Sequence, residues 1–146
     1  MMDDWQWEAL FVNRGSEYYD VRIEFPEKHK KHVGLMIENT DSVDQFCQHD
    51  GCRYKFDLQM NGGKYSDDPT IMSNKILYFR NNVHDPSLLR QTLSSVSYQD
   101  LAVGVRTGLA NMHVKIVNTT TVYHLGTYTI LQEVSSCLCC FFLTRK

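Results

Sequence analysis

No apolar run in this sequence approaches the ~18 residues that a membrane-crossing helix needs, so no helical span is expected. Proline and glycine are also scarce, at three and eight in 146 residues, which argues against long flexible linkers. Neither charge sign dominates: 15 Lys and Arg stand against 17 Asp and Glu, a formal net charge of −2. A dedicated nucleic-acid binder spreads cations over a whole face to neutralise phosphates, so nucleic acid is not an expected partner. The opening Met1-Met2-Asp3-Asp4-Trp5 is acidic and lacks an apolar stretch, so no secretory signal is expected.

Catalytic signatures are missing as well. There is no G-x-S-x-G elbow, H-E-x-x-H pair, Walker loop or G-x-G-x-x-G turn. Gly62-Gly63-Lys64 lacks the spacing to cradle a phosphate, and Asp67-Asp68 reads as a solvated loop pair. A Cys-His-Asp set can be drawn from any chain with five cysteines and six histidines, so it carries no weight. No catalytic residue and no cofactor is expected, and the chain does not read as an enzyme.

What is present is the composition of a folded chain: 42% hydrophobic and 22% charged residues over a length typical of one domain. The whole chain, 1–146, reads as a single globular domain. Five cysteines, an odd number in tight groups, do not form a disulfide framework. Reduced thiols fit a cytosolic or nuclear setting, and the expected location is the cytoplasm, extending to the inner membrane surface.

Period-2 alternation is the strongest pattern. Tyr19, Val21, Ile23 and Phe25 alternate with Asp20, Arg22 and Glu24. Tyr54, Phe56, Leu58 and Met60 alternate with Arg53, Lys55, Asp57 and Gln59. Each predicts a strand with one dry and one wet face. Val33 to Ile37 and Lys75 to Arg80 predict further strands, the latter with Leu77 and Phe79 inward. Trp5, Trp7, Ala9 and Phe11 share a parity and predict an opening strand, closed by Asn13-Arg14-Gly15-Ser16.

The period changes at Asp85-Pro86, a good N-cap and a proline suited to the first helical position. Leu89, Leu93 and Val96 follow at helical spacing. A second start at Ser97-Tyr98-Gln99-Asp100 continues through Leu101, Val105, Leu109 and Met112, with Gly104 and Gly108 inside. Strands return at Val114 and Ile116, turn at Asn118-Thr119-Thr120, and continue as Thr121 to Leu125 and, beyond Gly126, Tyr128 to Val134. The expected fold class is α+β: mainly an antiparallel sheet or small open barrel of about six to eight strands. One or two helices fall between about residues 86 and 111.

Three places could carry binding chemistry. Lys28-His29-Lys30-Lys31-His32 reads as a loop between strands. Lys28, Lys30 and Lys31 are candidates for an anionic surface, against the alternative of lysines that keep strand edges soluble. Cys47-Gln48-His49-Asp50-Gly51-Cys52 gathers three metal-ligand side chains in a short stretch. Zinc takes four, and a fourth would have to come from His29, His32 or the C-terminal cysteines. The spacing matches no standard finger, so buried thiols beside a glycine turn are favoured and no metal is expected. The block Cys137-Leu138-Cys139-Cys140-Phe141-Phe142-Leu143, ending in Arg145 and Lys146, reads as a final buried strand, or else as an apolar anchor with a basic tip. His113 and His124 fall on strands expected to pair, where edge or core histidines are the favoured reading.

The expected function is a non-enzymatic interaction or self-assembling module, with a protein partner or a second copy as ligand. Small sheets offer edges for strand addition, and eight tyrosines, among them Tyr18, Tyr19, Tyr65, Tyr78, Tyr98 and Tyr123, exceed what a core holds. One alternative is a peripheral protein that reaches anionic lipid through Lys28, Lys30, Lys31, Arg145 and Lys146, in the style of a small viral matrix or accessory protein. No residue motif carries that likeness. A second alternative is a small metal- or cysteine-dependent enzyme.

Overall fold

The computed structural model of the chain describes residues 1–24, 30–38, 53–62, 75–100 and 107–132. Six antiparallel strands form one curved sheet, a half-barrel: β1 Tyr19–Glu24, β2 Lys30–Glu38, β3 Asp57–Asn61, β4 Ile76–Arg80, β5 Thr107–Lys115 and β6 Val122–Gln132. Their order across the sheet is β1-β2-β3-β4-β6-β5. The expected α+β open barrel is therefore what the chain forms.

Alternation places the core as the sequence predicts. Val21, Val33, Leu35, Ile37, Leu58, Met60, Leu77 and Phe79 line the concave face, joined there by Phe56 from just before β3. The registers bring them together: Val21 opposite Val33, Leu35 opposite Met60, Ile37 opposite Leu58, and Leu58 opposite Phe79.

The opening segment departs from expectation. Asp4–Trp7 is a helical turn, α1, and Glu8–Val12 continues it as a turn of π-helix. Two features favour the helix over a strand. Gln6 reaches back so that its Oε1 accepts from the Asp3 N–H at 2.8 Å, satisfying a donor that a helix start leaves unpaired. Helical spacing then gathers Trp7, Leu10 and Phe11 on one buried side, which strict alternation would split. Trp7 stacks on Phe11 at 4.4 Å and on Tyr123 at 3.9 Å, so this unit plugs the concave face. It ends as the Asn13–Ser16 signal predicts: Arg14 takes a positive φ of 54°, and Gly15 donates to the Ala9 carbonyl at 2.8 Å. A Cβ at Gly15 would lie 3.1 Å from that same carbonyl oxygen, too close for a side chain without a backbone shift.

The second half is corrected in three places. One helix, α2, runs Leu89–Asp100, passing through the expected second start at Ser97. It begins after Pro86 because Asp85, Ser87 and Leu88 build a turn first. Ser87 donates to Asp85 Oδ1 at 2.7 Å, Leu88 adopts a positive φ of 59°, and Asp85 Oδ2 accepts from the Arg90 N–H at 2.8 Å. Leu109 and Met112, expected on a helix, stand on β5. The last two expected strands are one, β6, which runs through Gly126. The register slips there: Met112 faces Gly126 but His113 faces His124, so Leu125 is the extra residue of a β-bulge. Gly126 takes a φ of +85°, a backbone conformation that a Cβ disfavours.

Met1 and Met2 join the two edges of the half-barrel. Met2 forms a parallel bridge with Ile116, donating to the Lys115 carbonyl at 3.2 Å and accepting from the Val117 N–H at 2.9 Å. Met1 pairs with Arg22 on β1, its carbonyl accepting at 3.0 Å and its ammonium donating at 2.6 Å. Two residues thus strap β1 to the end of β5. Among the described residues no helix is long and apolar enough to cross a membrane.

Candidate functional site

Beyond the strap, the edges of β1 and β5 stand apart over a cleft of about 630 Å³. Its floor is Leu35, Met60 and Phe79. One wall is β1 from Val21 to Glu24, the other is β5 from Leu109 to Lys115, and Met1 and Met2 close one end. Volume and an apolar lining match what binding clefts in barrel mouths offer. Four of the lining side chains are methionines, whose unbranched thioethers adapt to an occupant's shape.

The wall formed by β5 is a strand edge. β6 takes one side of its ladder along all nine residues. On the other side, Met2 meets only the end, at Lys115 and Val117; among the described residues, Thr107 to Val114 have no backbone partner there. The direction of those groups follows from Lys115 and Val117. Backbone groups in a strand alternate sides, and the bulge lies in β6, so His113, Asn111 and Leu109 present their N–H and C=O outward as Lys115 does. Leu109 is 57% exposed at this edge.

A second polar cluster lies on the convex side, at the ends of β3 and β4. Asp57, expected on the wet face, is buried. Its Oδ2 accepts from Arg80 Nη1 at 2.8 Å and its Oδ1 from the Asn81 N–H at 2.7 Å. Partial burial alone would lower the Arg80 pKa, but the hydrogen bond and charge of Asp57, with the charges of Glu38 and Tyr78, together offset it and leave it raised. Asn81 in turn accepts from the Val83 N–H at 2.8 Å, and Thr129 donates to Asn82 Oδ1 at 3.0 Å. This cluster pins the chain leaving β4 and holds no nucleophile paired with a base.

Of the expected anionic-surface residues, Lys30 and Lys31 belong to β2, paired with Glu24 and Ile23, so with His32 three of the five residues of the supposed loop are strand. Lys28, Arg145 and Lys146 lie outside the described residues, as do Cys47, His49, Cys52 and the block from Cys137 to Leu143. Among the described residues no group of three or more His, Cys, Asp or Glu gathers as a metal site. His113 and His124 are direct cross-strand partners.

The cleft itself was not expected from the sequence. Leu101, Val105, Leu109 and Met112 recur at helical intervals, which hides the strand. The signal that finds it is the alternation of Ala110, Met112, Val114 and Ile116 with Leu109, Asn111, His113 and Lys115. Searches for related proteins found no matching family model, no matching curated protein and no matching solved structure.

Proposed function

We propose that the chain is a non-enzymatic, cytoplasmic interaction module that takes an extended segment of a partner protein by strand addition along β5. The observation that supports this reading is the outward ladder of β5 standing beside an apolar cleft. Met2 already uses the first position of that track, pairing in parallel at Lys115 and Val117. A partner strand continuing it would draw affinity from main-chain hydrogen bonds and selectivity from alternate side chains entering the cleft. Leu35, Met60 and Phe79 favour apolar side chains at those alternate positions. A second copy of the chain offering its own β5 is the self-assembling form of the same chemistry.

Asn111→Pro tests it, because proline removes an outward N–H while sparing the β6 side, a placement tolerated on edge strands. Peptides selected from a random extended library should bind the native chain and slow hydrogen exchange at Leu109, Asn111 and His113. They should fail to bind Asn111→Pro. Binders that leave β5 exchange unchanged, or that bind the variant equally, would refute the reading.

A further inference from the structure

The β5–β6 hairpin sets His113 directly opposite His124, with both side chains exposed on the sheet surface. Their ring centroids lie 6.1 Å apart and their planes are tilted by 41°. Among the described residues, neither ring has a hydrogen-bond partner that would occupy its nitrogen lone pair. Residues directly opposite across an antiparallel pair have Cβ atoms about 4.5–5.5 Å apart. Anchors at that spacing let the two side chains rotate to present one nitrogen each to a single ion at the ~2.0–2.1 Å of a zinc–imidazole bond.

We propose that His113 and His124 form a two-imidazole site for a divalent transition metal of the zinc class. Imidazole suits zinc, copper and nickel, whereas calcium and magnesium require oxygen ligands. The strand ladder fixes both backbone positions before the metal arrives, so chelation orders only the side-chain torsions. No third His, Cys, Asp or Glu among the described residues joins the pair. With ligands from the described residues alone, the ion keeps exchangeable positions for water, unlike a closed four-ligand structural zinc site. The site stands apart from the strand-addition reading, since it uses side chains on the sheet surface and not the backbone edge.

The test is titration of the full chain with zinc ions alone, following the imidazole nitrogens of His113 and His124 by long-range proton–nitrogen correlation. A site-specific readout is needed because the chain has five cysteines and six histidines. Both rings should shift together along one saturating curve. Because the second ligand is held at high effective concentration, His124→Gln should weaken zinc binding at His113 by about 100-fold, and His113→Gln should do the same at His124. Rings that stay unshifted while zinc binds elsewhere would overturn the proposal. So would a His113 response that survives His124→Gln unchanged.

Discussion

Tyr128 and Phe56 are fully buried on the concave side, yet removing their side-chain groups should have opposite consequences. Phe56→Ala empties a packed volume and should cost about 3–5 kcal/mol in denaturant unfolding. Tyr128 buries a hydroxyl that has no partner among the described residues, so Tyr128→Phe should be neutral or stabilising. The same burial, helped by the charge of Asp57, pushes the Tyr128 phenol far above its ordinary range. With the folded pKa raised above the unfolded value, the folded state retains a proton that the unfolded chain gives up. That contribution is complete below about pH 10 and is lost as pH rises beyond it. Stability measured from pH 8 to pH 11 should therefore fall at the alkaline end, and fall less in Tyr128→Phe. Asp57 makes the contrasting case of a satisfied buried group. Asp57→Ala should cost about 1–3 kcal/mol, because it removes two hydrogen bonds and leaves the Asn81 N–H buried without its acceptor.

For individual elements, hydrophobic spacing correctly assigned type to α2 but not its surroundings. Leu89, Leu93 and Val96 have the spacing of a core-facing stripe, yet they are 60%, 63% and 47% exposed. Leu93→Gln should therefore change unfolding free energy by less than about 0.5 kcal/mol, a result that a buried leucine would not give. The opening segment shows the converse. Trp5, Trp7, Ala9 and Phe11 fit an alternating strand by parity alone, and Leu10 and Gln6 decide for the helix once burial is counted. Strand β5 was obscured because its early residues also satisfy a helical interval.

Across the molecule, the Met1–Met2 strap links the two sheet edges through main-chain hydrogen bonds. Met2→Ala removes a buried side chain and should cost about 2–5 kcal/mol in a urea midpoint measurement. Hydrogen exchange at Val117, which donates to the Met2 carbonyl, should quicken in the same variant if the strap loosens as a unit.

The sequence by itself determined the α+β class, the inward residues of β1 to β4, the presence of a helix through Leu89, Leu93 and Val96 though not its bounds, and the hairpin turn at Asn118. All of these rest on local periodicity or turn chemistry, which a short window of residues contains. Only the tertiary structure decided that Met1 and Met2 bridge strands β1 and β5, that Asp57 is buried beside Arg80, and that His113 faces His124 across a bulge. These depend on register and closure between residues 11 to 115 positions apart, and a bulge of one residue changes which side chains meet. The cleft exists for the same reason: its walls are the two edges of a sheet whose curvature no local pattern encodes.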